Sequence, residues 1–145
     1  MQDALRAVSA STPVVVFAHI PLSGIYLDWG WGTKDSEQAF SYLKRFGSVT
    51  VLNGHIHQLT QKAEGNATFH TAMSTAFPQP APRTAPSPGP LKVPAETLRI
   101  VLGLANPCGE SRSLAVVDLP LRTTQGSSAS LLRRDLLVGS RCIHR

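Results

Sequence analysis

Val14-Val15-Val16-Phe17-Ala18 and Val49-Thr50-Val51-Leu52 are short β-branched and aromatic runs without the polar alternation of a strand that faces water. Strands that read this way are buried on both faces, and they belong to parallel sheets covered by helices. Between the two runs, Thr33 to Asp35 offer helix caps and Glu37 and Gln38 fall in a first turn. Ala39, Phe40, Leu43 and Phe46 then recur at helical spacing, and Gly47 supplies a stop. Strand, helix, strand at this separation predicts a βαβ unit with parallel strands and a right-handed crossover. The fold class is therefore α/β.

The flanking segments add to that unit. Ala4, Leu5 and Val8 predict the last turns of a helix over residues 1–10. Gln58 to Ala63 alternates weakly, Glu64-Gly65-Asn66 reads as a turn and Ala67 to His70 as a short strand, so an antiparallel hairpin is expected after the βαβ unit. Seven of the eleven prolines fall between Pro78 and Pro94. Missing donors exclude a helix or an inner strand there, leaving an extended loop over the surface, with a linker as the alternative. Leu98 to Leu104 predicts a helix and Leu114 to Leu119 a late strand. One domain is expected over 1–121, and a basic, poorly ordered tail over 122–145.

Several classes of function drop out on composition. The longest apolar run, Val14 to Ala18, has five residues, against the roughly 18 of a membrane span. Met1 to Val8 lacks the basic-then-apolar order of a secretory signal. Cys108 and Cys142 are too few for a disulfide framework or a zinc knuckle. The net charge of +5 suggests nucleic acid until its distribution is read. Residues 1–121 hold nine Lys/Arg against eight Asp/Glu, and residues 122–145 hold five Arg against Asp135 alone. The basic character belongs to the tail, and no basic stripe interleaved with aromatics appears elsewhere, so neither nucleic acid nor membrane is an expected partner.

Three of the five histidines stand where chemistry is placed. His19 ends the first buried run, and His55 and His57 follow the second in Asn53-Gly54-His55-Ile56-His57. Parallel strands bring their C-terminal ends to one edge, where open α/β sheets bind ligands. Three imidazoles at one edge are a donor set for a first-row divalent metal. Gly54 is expected to let the backbone turn off the strand, and a spacing of two to put His55 and His57 on one side of an extended segment. His70, in the hairpin, and His144, in the tail, read as ordinary surface or rim histidines.

Asn53-Gly54-His55-Ile56-His57 resembles the Gly-His-x-His motif of the calcineurin-like metallophosphoesterases, and His19-Ile20-Pro21 resembles the histidine motif that precedes it. Phe69-His70-Thr71-Ala72-Met73-Ser74-Thr75-Ala76-Phe77 is similar to the turn after the motif in bacterial members. The resemblance covers roughly residues 1–121. It implies a four-layer α/β/β/α sandwich and hydrolysis of phosphate mono- or diesters. It also implies a binuclear centre of Fe, Mn or Zn, with His19 and His55 on one metal and His57 on the other. Asn53 and Gly54 become candidate phosphate-binding residues.

Three family motifs have no counterpart in this sequence. There is no Asp-x-His and no Gly-Asp, and Gly65-Asn66 is followed by Ala67-Thr68 rather than His and an acid. These motifs supply the bridging carboxylate and the acid, and three neutral histidines leave two metals underligated. Asp28, in the aromatic loop after His19, reads as a loop-capping residue rather than a ligand. The expectation is a C-terminal half of a metallophosphoesterase, inactive alone. A non-catalytic binding module or pseudo-enzyme using the same sheet edge is the alternative, and a gene fragment without a stable product is a third reading.

Overall fold

The computed structural model describes residues 1–110 and 113–121; the predicted tail over 122–145 lies outside the described residues. The elements run α1 (Gln2–Leu5), β1 (Val14–Ala18), a one-turn 3-10 helix (Leu27–Trp29), α2 (Ser36–Ser41), β2 (Val49–Asn53), β3 (Thr60–Glu64), β4 (Ala67–Thr71), α3 (Ala95–Leu98), β5 (Gly103–Glu110) and β6 (Ser113–Pro120). The protein is a mixed α/β structure with a four-stranded sheet in the order β1-β2-β4-β3 and a separate β5-β6 ribbon.

The predicted βαβ unit is present, with β1 and β2 parallel from Val14 opposite Val49 to Ala18 opposite Asn53. The predicted hairpin is present too: β3 and β4 run antiparallel around Gly65, whose φ of 57° suits a residue without Cβ. The hairpin does more than attach to the unit. β4 pairs in parallel with β2, so β2 becomes an inner strand flanked on both sides. Alternate residues of the three parallel strands then face one core: Val49 and Val51 from β2, Ala67 and Phe69 from β4, with Val14, Val16 and Ala18 of β1 packed beside them.

β1 corrects one expectation. It is an edge strand covered on one face only, so Val15 is 42% and Phe17 75% exposed. Phe17, Leu52 and His70 stand in one register row across this second face. Beside them lies an open pocket of about 390 Å³, lined also by His19, Ala72 and Ala105.

The helices are shorter than their patterns predict. α1 ends at Leu5, because Ser9 and Ser11 bond each other and the Ser9 hydroxyl accepts from the Ser11 N–H, which competes with a further helical turn. α2 ends at Ser41, and the chain tightens into i→i+3 bonds, Leu43 N–H to Phe40 C=O and Phe46 N–H to Leu43 C=O. The predicted apolar face survives this change: Leu43 and Phe46 are fully buried, and Asn66 donates to both their carbonyls. Gly47 follows, its N–H donated to Ala10 C=O.

The helix predicted over Leu98 to Leu104 lies earlier, at Ala95–Leu98, directly after Pro94. Gly103 instead opens β5, with its N–H on Ser74 C=O. The late strand is present as β6, antiparallel to β5. Residues 78–94 form neither helix nor strand, as the prolines require. The loop closes on itself through Leu91 N–H to Pro78 C=O. No described helix is long and apolar enough to cross a membrane.

Candidate metal centre

His19 and Gly54-His55 leave the C-terminal ends of two adjacent parallel strands, and the pairing of Ala18 with Asn53 sets them side by side. Gly54 N–H donates to His19 C=O at 3.1 Å, extending the contact one step past the ladder. A Cβ at Gly54 would sit 3.8 Å from His19 Nδ1, an ordinary contact. The two rings meet edge to face, centroids 5.1 Å apart, with His55 Nδ1 3.4 Å from His19 Nε2.

The turn that follows differs from the expected extended segment. His55 and His57 both adopt left-handed backbone, φ 68° and 53°, and Gly54 does not. Histidine is one of the few types other than glycine enriched in that region. Ile56 N–H donates to Gly54 C=O at 2.8 Å across His55, the rarer and more strained sense of γ-turn. Ile56 is fully buried and anchors the turn from below. The His57 side chain is held by a different segment from the one the His55 ring meets. Its Nδ1 lies 2.7 Å from Phe77 C=O and its ring packs at 4.5 Å on the Phe77 ring. A carbonyl only accepts, so Nδ1 carries a proton, and in the neutral ring the lone pair is on Nε2. A metal-binding histidine is oriented in the same way, its second nitrogen donating to a backbone carbonyl.

Asn53 is turned inward. It is 6% exposed, and its Nδ2 donates to Ala18 C=O at 2.9 Å and reaches Ile20 C=O at 3.5 Å. Those carbonyls flank His19, so Asn53 fixes the backbone on which His19 stands. Its Oδ1 is buried without a hydrogen-bond partner among the described residues. This geometry makes Asn53 a support for the site rather than a direct contact for phosphate.

Burial pushes the His55 pKa below its ordinary value, and the neighbouring His19, then His57, add to the effect against a raising hydrogen bond at the Gly30 backbone. A ring kept neutral near pH 7 is a ring available to a metal. Gly30 belongs to the aromatic loop, where Tyr26 and Trp31 pair across a bridge and Trp29 packs edge-on against both. Asp28 is exposed on the 3-10 turn, and its carboxylate makes no hydrogen bond or ion pair among the described residues.

The structure thus brings His19 and His55 together and sets His57 on the adjoining turn. Among the described residues, no group of three His, Cys, Asp or Glu side chains is close enough to hold one ion. His70 lies across the sheet on the rim of the pocket, and His144 lies outside the described residues. Sequence reading missed Gln58, Phe77 and Gln79, whose contacts to the histidine turn cross about twenty residues and leave no local pattern. No protein-family model matches the chain, and no curated protein matches it.

Proposed function

We propose that this chain carries the histidine share of a binuclear metallophosphoesterase site, in a sheet that forms part of an α/β/β/α sandwich, and that the complete site hydrolyses phosphate mono- or diesters. The observation that carries the reading is the pair of nitrogens, His19 Nε2 and His55 Nδ1, 3.4 Å apart at the end of two parallel strands. Two donors each about 2.1 Å from a tetrahedral ion stand about 3.4 Å from one another. His19 and His55 would hold one divalent ion, Zn, Mn or Fe, and His57 Nε2 is free for a second. Bound metals would supply Lewis acidity and a water acidic enough to attack phosphorus near neutral pH.

The chain's own residues orient the donors. Phe77 C=O sets the His57 tautomer, Asn53 holds the backbone around His19, and Gly54 brings the two strand ends together. No group of three His, Cys, Asp or Glu side chains among the described residues could hold an ion, so carboxylate ligands and an acid for the leaving group would have to be brought to this edge. The open face bearing Val15 and Phe17 suits a second sheet that would bring them. The chain alone is then inactive toward phosphate esters, since ligands and acid act as a unit.

The test is calorimetric titration with Zn²⁺ alongside turnover of a chromogenic phosphodiester. The chain should bind Zn²⁺ weakly, His55→Ala should abolish binding, His57→Ala should weaken it, and turnover should be absent. Co-expression with the N-terminal half of a metallophosphoesterase should restore metal-dependent turnover, lost again in His55→Ala. Equal Zn²⁺ binding by the chain and by His55→Ala overturns the assignment. A second reading, a non-catalytic binding module, draws on the contact of two imidazoles with no third metal-ligating side chain beside them among the described residues. It gains if metal binds through these histidines and no complementing half restores turnover.

A further inference from the structure

We propose that Gln79, at the root of the proline-rich loop, is the positioning residue that holds His55 in its left-handed turn against His19. The proposal rests on the metal-site reading only for its consequence, metal affinity. For a residue with a Cβ, histidine included, φ 68° is a costly conformation that persists where the surroundings hold it. Within the turn, the only closure is Ile56 N–H to Gly54 C=O, a three-residue bond of poor geometry. The second hold on the His55 backbone is external: Gln79 Nε2 donates to His55 C=O at 2.9 Å. With its carbonyl fixed, the peptide plane between His55 and Ile56 is fixed, and with it the direction in which the ring leaves the chain.

Gln79 is itself held for this task. Its neighbours Pro78 and Pro80 are buried and limited in φ, and its C=O accepts from Gln58 Nε2 at 2.6 Å. Two residues before, Phe77 C=O accepts a hydrogen bond from His57 Nδ1. Segments 55–58 and 77–79 therefore exchange three hydrogen bonds, two of them landing on the backbone of a residue beside a proline. On the return leg of the loop, Leu91 N–H donates to Pro78 C=O, so the root is closed from both directions. The side-chain requirement is specific. Glutamate has the length but no proton to donate at neutral pH, methionine has the volume but no donor, and asparagine is one methylene short.

The experiment uses the full chain and three variants, Gln79→Ala, Gln79→Glu and Gln79→Met. Two quantities are read: exchange of the Ile56 amide by NMR without metal, and affinity for Zn²⁺ by calorimetry, with the Co²⁺ absorption band as a spectroscopic check. In all three variants Ile56 should exchange at least about tenfold faster while the β2 and β4 amides keep their rates. Zn²⁺ affinity should fall about ten- to a hundredfold, the usual cost of losing an outer support of a metal ligand. Gln79→Met keeps the packing, so a loss there assigns the effect to the donated proton. Unchanged Ile56 exchange in Gln79→Met and Gln79→Glu overturns the proposal, whatever the metal does. If the unmodified chain takes up no Zn²⁺, the metal-site reading falls by itself, and the Ile56 exchange rates still decide the role of Gln79.

Discussion

At the scale of single residues, the candidate centre is set by side chains whose polar atoms are spent on backbone. Asn53 is the clearest case, since its amide spans two strand ends. Asn53→Ala leaves Ala18 C=O without its donor in a buried place, and the expected loss is about 1–3 kcal/mol in urea unfolding. Zn²⁺ affinity should fall with it, because His19 stands between the two released carbonyls. The histidines give a pH dependence with a definite sign. The folded-state pKa of His55 is lowered by burial, then by His19 and, more weakly, His57, so the unfolded chain binds the proton more readily below about 6.5. Stability of the metal-free protein should therefore decline as pH falls from 6.5 toward the folded value and level off below it. Thermal melts across that window check this, and His55→Gln should flatten the slope. Of the site itself, the sequence made the positions of His19, His55 and His57 legible, because a strand end is a local pattern. The left-handed turn was not legible: His55 and His57 reach that backbone through bonds from Phe77 and Gln79, and no spacing rule links those residues.

At the scale of elements, strands were easier to foresee than helices, for a physical reason. The β1 and β2 runs are short, β-branched and apolar, and pairing fixes their ends within a residue of the pattern. α2 has a correct apolar face, yet its second half is wound as tight turns, because Leu43 and Phe46 can reach the core from either geometry. β5 was missed because Gly103-Leu104-Ala105-Asn106-Pro107 has weak strand propensity and is defined by its partner β6. Packing of the α2 region against the sheet carries much of the stability. Leu43→Ala should cost about 2–5 kcal/mol, measured by denaturant unfolding, as Leu43 is wholly buried. The proline-rich loop, at exposed Arg83 or Lys92, or the chain beyond Thr123 should be cut by trypsin before any cleavage within 35–57. Early cleavage in the βαβ unit would contradict the packing described for it.

At the scale of the whole molecule, one face of the sheet is a core and the other is open at the edge strand β1. Burial on both faces of β1 was the natural reading of Val14 to Ala18, and it failed because composition reports what a strand can bury, not what covers it. Phe17, three-quarters exposed on an edge strand, should make the isolated chain self-associate. Phe17→Thr should reduce that association in sedimentation while leaving the unfolding free energy within about 0.5 kcal/mol. The order of strands in the sheet also has a temporal meaning. β3 and β4 meet across two residues, β2 and β4 pair 18 positions apart (Val49 with Ala67), and β1 and β2 pair 35 apart (Val14 with Val49). Closing the longest loop costs the most chain entropy before any contact rewards it, so β1 docks late in folding. Val16→Ala should then mainly speed unfolding, whereas Phe69→Leu, in the strand shared by both early pairings, should slow folding. The two imidazoles thus reach the sheet edge at different times: His55 with the early strands, His19 on the last strand to arrive, so the pair exists only once the slowest closure is complete.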